Sequence, residues 1–299
     1  MKAGKHTVTA ITRPDSKSKL PDGIKVVPVD YDDHSALVAA LKGQQFFIIT
    51  MAATAPPETQ SKLLKAAAEA RVPYVMPNWY GGNYKNETLA RDTMYGDRWK
   101  RLETEMESLG IPYWMAIVCG FWYEFSLGGG PVRYGFDINK RTVVLFDEGT
   151  TAINTTTWTQ IGRAMVNLLS LKELPDDQDD HSLTLNHFSK GQVRISSFRI
   201  SQRDMFESIK RVTGTTDSDW TITKEPSLDR WKDGIEAVKK GDMTGFGKLL
   251  YTRVFFPNGD GDYESSEGLH NHLLGLPEED LDEATKLGVY IGENKLYTS

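Results

Sequence analysis

Four places in the first third of the chain carry side chains that could hold a dinucleotide, and each follows directly on a short apolar segment. Arg13 closes "HTVTAIT", Asp30 and Tyr31 close "IKVVPVD", Met51 closes "QQFFIIT", and Pro77, Asn78 and Trp79 close "PYVM". Ligands of open α/β sheets gather beyond the carboxyl ends of the strands, so residues in this phase are where binding chemistry is expected. A guanidinium at Arg13, with Ser16 and Lys17 behind it, suits the 2′-phosphate of NADP, whereas an acidic residue there would hold the ribose hydroxyls of NAD. It reads equally as a solvated basic turn. Asp30 and Tyr31 suit an adenine edge and face. Met51, Ala52 and Ala53 would let backbone approach a nicotinamide ribose, and Tyr80 with two glycines adds an aromatic mouth.

Other chemistries lack their residues. A tyrosine with a lysine four positions on would place an ammonium one helical turn from a phenol and lower its pKa. None of the 12 tyrosines has one; Tyr95 comes nearest, with Trp99 at that spacing and Lys100 one step further round. "GDMTGFGKL" has Asp242 where a phosphate loop needs its first glycine and Leu249 where it needs Ser or Thr. "NGDGDYE" has Tyr263 at the glycine position of a calcium loop and Leu269 at that of the bidentate glutamate, so a polar turn is expected and no metal. His270 and His272 have no third ligand near in sequence. No Gly-x-Ser-x-Gly elbow occurs.

Composition excludes further classes. A formal charge of −6 without a basic cluster does not suit nucleic acid. No apolar run approaches the roughly 20 residues of a membrane helix, and the opening residues lack the apolar core of a signal peptide. The single cysteine, Cys119, allows no internal disulfide and suits a reducing, cytoplasmic setting.

These residues require a doubly wound frame, and the chain has its rhythm. Strand patterns at 6–12, 24–30, "QQFFIITMA", "PYVMPNW" and "IPYWMAIVCGF" alternate with helix patterns. "DDHSALVAALKG" has an Asp32 or Asp33 cap, a stripe of Leu37, Val38 and Leu41, and Gly43 to end it. The continuous apolar "QQFFIITMA" predicts a strand covered on both faces. A further helix runs over 98–109. After glycines 128–130 the rhythm changes, which divides the chain into a dinucleotide-binding domain, 1–127, and a substrate lobe, 128–299. In that lobe "RTVVLFDEG" and "GQVRISSFRIS" read as strands and 154–171 as an amphipathic helix with Ile161, Met165 and Leu168 on one face. Ser201-x-x-Asp204 opens a helix that closes at Gly214, and the remainder reads as helical.

The motifs "GKHTVTAITRPDS", "VVPVDYDDHSALVAALKGQQFFIIT", "YVMPNWYGG" and "ESLGIPYWMAIVCGFWYEF" resemble the NmrA-like, isoflavone-reductase-like family of atypical short-chain dehydrogenase folds, its fungal members above all. The resemblance covers residues 1 to about 125. It implies a Rossmann-like parallel sheet with flanking helices, a smaller, mostly helical C-terminal lobe, and NADP as cofactor. By it, Arg13 looks like the 2′-phosphate ligand, Asp30 and Tyr31 the adenine neighbours, and Met51 with Pro77, Asn78 and Trp79 the nicotinamide-side wall. Tyr80, Phe121 and Trp122 would face an apolar or aromatic small-molecule substrate.

Two departures accompany it. The family's first strand and glycine-rich loop have no counterpart here, and "MKAGKH" reads like the tail of the helix that would follow them, so an N-terminally truncated chain is expected, with a natural variant lacking the glycine loop as the alternative, and with unpaired apolar strand edges. The family's acid/base lysine, roughly three turns before Gly110, falls at Trp99; Lys100 is the candidate proton donor. The reading is an NADPH-dependent reductase, with a non-catalytic NADP-binding regulator, or a form that binds no dinucleotide, as alternatives. Substrate and oligomeric state stay open.

Overall fold

A computed structural model describes residues 4–52, 55–83 and 85–297. Ala53 of the expected nicotinamide loop and the first three residues of "MKAGKH" lie outside the described residues. In chain order the elements begin with β1 (Thr9–Thr12), β2 (Lys25–Pro28), α1 (His34–Leu41), β3 (Phe46–Ile48), α2 (Pro57–Glu69), β4 (Tyr74–Met76) and β5 (Tyr80–Gly81). There follow α3 (Glu87–Asp92), α4 (Arg98–Ser108), β6 (Tyr113–Val118), β7 (Phe121–Trp122), α5 (Tyr123–Leu127), β8 (Phe136–Asp137), β9 (Thr142–Phe146) and β10 (Ile153–Thr156). The last are α6 (Trp158–Leu169), β11 (Gly191–Arg194), β12 (Phe198–Ile200), α7 (Gln202–Thr213), β13 (Thr221–Glu225), α8 (Ser227–Lys239), α9 (Thr244–Arg253), α10 (Tyr263–Glu267) and α11 (Leu281–Glu293).

They pack as two compact units. One comprises Met1–Trp79, Lys100–Ile117 and Val166–Val193; the other comprises Tyr80–Trp99, Val118–Met165 and Arg194–Ser299.

The first unit is the expected α/β frame. β1 and β2 pair in parallel, Thr9 opposite Lys25 through to Thr12 opposite Pro28. β3, β4, β6 and β11 form a second parallel array in the order β11-β6-β4-β3. β4 has a neighbour on each edge, and Tyr74, Val75 and Met76 are buried accordingly. β3 differs from its expectation. Phe46, Phe47 and Ile48 are only partly buried, because among the described residues β3 pairs with β4 alone and β1 with β2 alone, leaving one edge of each strand unpaired. Local chemistry sets the helices as read: the Asp33 carboxylate accepts the Ala36 N–H at 2.9 Å, Leu37 and Leu41 are buried, and Gly43 takes the left-handed φ of 79°.

The second unit contains two three-stranded sheets, β12-β10-β7 and β13-β9-β8, with helices around them. Three elements depart from expectation. "GQVRISSFRIS" divides into β11 and β12, since Ser196 and Ser197 turn their polar groups to Thr155 and Phe198 rather than to a continuing ladder. The segment after α7 also includes β13, which lies parallel to β9 from Thr221 opposite Thr142 to Glu225 opposite Phe146. Its "TITKE" carries one apolar residue, too few to register as a strand pattern. The helix expected from residue 154 begins at Trp158, where the Thr157 hydroxyl accepts the Gln160 N–H at 3.0 Å; residues 154–156 belong to β10. α7 opens with the expected Ser201–Asp204 capping box and ends at left-handed Gly214. α8 and α9 cross at Gly234 and Gly245, where a Cβ on Gly234 would lie 2.8 Å from the Leu249 nitrogen.

Among the described residues no helix is long and apolar enough to cross a membrane. No cluster of three or more His, Cys, Asp or Glu side chains among them could hold a metal ion.

Candidate functional site

Within the first unit, the candidate cofactor residues stand at the carboxyl ends of four strands. Arg13 follows β1, exposed, its Nε 3.9 Å from Asp15. Tyr31 follows β2; its hydroxyl donates to the Ile11 carbonyl at 3.4 Å. Burial raises the Tyr31 phenol above its ordinary value and the charge of Arg13 opposes that rise, which puts the two side chains in one electrostatic neighbourhood. Asp30 is exposed, and its carboxylate accepts the Asp32 N–H at 3.0 Å. Sequence reasoning missed a second cation here. Lys62 of α2 pairs with Asp32, and that bond, helped by the charges of Asp32, Glu58 and Asp30 and opposed by burial, raises its ammonium. A lysine in the middle of an alanine-rich helix carries no signal of such a partner.

At the other strand pair Asn78 is the organising side chain. Its Oδ1 accepts the Met51 N–H at 3.1 Å and its Nδ2 donates to the Met51 carbonyl at 3.4 Å. The Asn78 N–H donates in turn to Gln60 Oε1 at 2.7 Å. The loops after β3 and β4 are thereby joined by an amide acting as one rung of a ladder. Pro77 and Trp79 are buried, with the Trp79 N–H on the Pro77 carbonyl at 2.7 Å, so they back the loop rather than line an opening.

Lys100 lies on the outer side of α4. The buried stripe of that helix is Trp99, Leu102 and Met106 at helical spacing, which leaves Lys100 exposed. Its side chain makes no hydrogen bond or ion pair with any described residue.

Within the second unit, Tyr80, Phe121 and Trp122 gather around Cys119. The Cys119 N–H donates to the Gly81 carbonyl at 3.0 Å. Burial pushes the Cys119 thiol up to about 12, with a hydrogen bond from the Trp122 side chain opposing. Burial, and then the neighbouring Cys119, raise the Tyr80 phenol well above its ordinary value, so it stays a neutral hydroxyl. Phe121 stacks on Tyr251 with ring centroids 3.9 Å apart and planes 14° apart. No sequence pattern singles out Tyr251; it lies 130 residues further on, in α9, and its hydroxyl meets Ser126 Oγ at 3.0 Å. Trp122 stays 37% exposed.

The strand ends of the first unit therefore offer the exposed guanidinium of Arg13, a phenol face and a hydrogen-bonded loop, a set that can bind and orient an anion and a planar ring. The second offers an aromatic wall carrying neutral hydroxyls.

Comparison with known proteins agrees with this frame. Residues 1–128 match the model of the NmrA-like family. The oxidoreductase aprR of Aspergillus flavus is 27% identical over 284 residues, 93% of this chain and 89% of that protein. Among solved structures, an isoflavone reductase is similar with a TM-score of 0.68 at 17% identity, covering 95% of this chain and 91% of that one. AtPrR2 with NADP+ and (+)pinoresinol is similar with a TM-score of 0.71 at 16% identity, covering 96% and 92%. At these identities the structural likeness establishes the α/β fold.

Proposed function

From a chain that is NmrA-like over residues 1–128 and homologous to a fungal oxidoreductase, we propose an NADPH-dependent reductase of an apolar, aromatic small molecule, acting in the cytoplasm. We assign dinucleotide binding to residues 1–127 and the substrate lobe to 128–299. The observation that carries the reading is the phase of Arg13, Asp30, Tyr31, Met51 and Asn78, which all follow parallel strands at their carboxyl ends.

NADPH fits these residues at its two ends. Arg13, exposed and held only loosely by Asp15, would take the 2′-phosphate; Tyr31 would offer its ring, and Asp30 a carboxylate, to the adenine. Met51, held by Asn78 and backed by Pro77 and Trp79, would support the nicotinamide end. The pyrophosphate has no glycine-rich strand-to-helix cradle among the described residues. NADPH, when bound, supplies a hydride. The chain's own part is to bind, orient and exclude water, with Tyr80, Phe121 and Trp122 as the aromatic substrate side and Lys100 as proton donor.

Calorimetric titration of NADPH and NADH tests the reading. Binding that prefers NADPH, with the preference lost in Arg13→Ala, supports it; failure of both nucleotides to bind sinks it. The exposure of Lys100, with no partner among the described residues, favours a second reading, a regulator that binds NADP without turnover. Turnover of NADPH with an aromatic carbonyl substrate, abolished in Lys100→Ala while nucleotide binding persists, would exclude that reading.

A further inference from the structure

A cavity of about 310 Å3 lies within the second unit, between the end of α7, the β8–β9 hairpin and α11. That volume falls at the lower end of the range for small-ligand pockets. Its lining sets the apolar side chains of Ile138, Val212 and Val289 and the rings of Trp220 and Tyr290 among polar and charged groups, and its exposed wall is mostly polar. The Trp220 indole N–H already donates to Thr215 Oγ1 at 3.0 Å, so what Trp220 has left to offer is its ring; Tyr290 is 55% exposed.

Two charges of opposite sign, neither hydrogen-bonded nor ion-paired to a described residue, line this cavity. Among the described residues from 118 to 297 there are nine arginines, and in eight of them the guanidinium hydrogen-bonds a carboxylate or a carbonyl. The ninth is Arg141. Its backbone is tied down, the carbonyl accepting the Thr221 N–H at 2.9 Å, while its guanidinium hydrogen-bonds no described residue, although its charge helps to lower the Asp219 carboxyl. Glu293, on α11, likewise has a carboxylate with no hydrogen bond or ion pair among them. The remaining charge in the lining, Lys286, is neutralised by Glu283 at 2.5 Å. Arg141 and Glu293 are not paired with each other.

A single small molecule matches such a lining. We infer that this cavity binds a zwitterionic α-amino acid with an apolar side chain: Arg141 takes the carboxylate in a bidentate pair, Glu293 takes the ammonium, and the side chain lies on Trp220, Val289 and Tyr290. A guanidinium is the group suited to planar, two-point recognition of a carboxylate. One unpaired charge would call for a simple anion or cation; two of opposite sign in one pocket that also holds apolar and aromatic side chains suit both charges on one ligand. The site is separate from the residues assigned to the dinucleotide, and the inference does not depend on that assignment.

The test is isothermal calorimetry on the whole chain with L-phenylalanine, 3-phenylpropanoate, which lacks the ammonium, and phenethylamine, which lacks the carboxylate. L-phenylalanine is expected to bind with a dissociation constant at or below about 1 mM, and each truncated probe about tenfold or more weakly. Arg141→Gln should remove the advantage of L-phenylalanine over phenethylamine, and Glu293→Gln its advantage over 3-phenylpropanoate. Both residues are exposed, so circular dichroism and melting should match the parent. Binding of 3-phenylpropanoate as tight as that of L-phenylalanine would overturn the proposal in favour of a plain carboxylate site. Absence of binding, or binding unchanged in both variants, would overturn it outright.

Discussion

Asn78 satisfies both backbone polar groups of Met51, accepting its N–H at 3.1 Å and donating to its carbonyl at 3.4 Å, and so ties the loop after β3 to the loop after β4. Two strands' carboxyl ends are thus joined through one side chain. Asn78→Leu keeps the volume but leaves the Met51 amide unpaired in a part-buried position. The expected cost is about 1–2 kcal/mol in urea unfolding, with faster hydrogen exchange at Met51. A variant with parental stability and protection would show that the clip is incidental.

Arg13 is exposed and makes only a long contact with Asp15, so its removal should not touch folding. Arg13→Ala is expected to melt within about 0.5 kcal/mol of the parent. NADPH affinity should fall by about tenfold or more while NADH affinity holds, since the side chain is asked to meet only the extra phosphate. Equal losses for both nucleotides would assign Arg13 a general role instead.

Trp99 and Lys100 are neighbours with opposite environments on α4: Trp99 is 3% exposed, and Lys100 lies at the surface. Trp99→Ala should destabilise by about 3–5 kcal/mol through the cavity it leaves. Lys100→Ala should change stability by less than about 0.5 kcal/mol, which leaves turnover free to report its chemistry.

Arg253 has no exposed surface and serves two carboxylates, Asp92 at 2.9 Å and Asp260. Replacing it by methionine leaves Asp260 with only the neutral amides of Asn86 and Asn258 and Asp92 with only the exposed Arg91, at an expected cost of about 3–5 kcal/mol. Burial acts to raise the Asp260 carboxyl, but the Arg253 guanidinium and the Asn86 and Asn258 amides together hold it below its ordinary value. Its contribution is therefore present above the unfolded pKa and is lost as pH falls through the depressed folded one. Asp282, held at about 2 by Arg211 and Ser208, follows the same sign, so acid unfolding should steepen between about pH 4 and pH 2. Arg211→Ala should move that transition to higher pH.

The Cys119 thiol, fully buried and pushed up to about 12, should be inert to alkylation in the native state. A thiol raised so far is almost entirely protonated at pH 8, and the thiolate is the reactive form. Labelling by iodoacetamide should therefore track unfolding in urea, and rapid labelling of folded protein would contradict the burial.

Local chemistry makes much of the frame legible in the linear sequence. Asp33 as a cap, Gly43 and Gly214 at helix ends and the Ser201–Asp204 box act over three or four residues, and each stands where the pattern places it. The parallel pairing of β3, β4 and β6 follows from strands separated by helices. The element that escapes such a reading does so for want of a local signal: "TITKE" forms β13 with a single apolar residue because its partner β9, some 80 residues nearer the N-terminus, supplies the ladder.

At the candidate site the division is sharper. Sequence by itself determined which residue types follow each strand, since strand phase and turn composition are set by near neighbours. The tertiary structure alone decided that Asn78 grips Met51, that Lys62 reaches Asp32, that Tyr251 stacks on Phe121, and that Trp99 rather than Lys100 faces the core. Such pairings depend on chain distances of up to 130 residues and on which side of a helix packing buries. Hydrogen bonds and ring contacts form between atoms close in space, and a linear pattern carries no measure of that closeness.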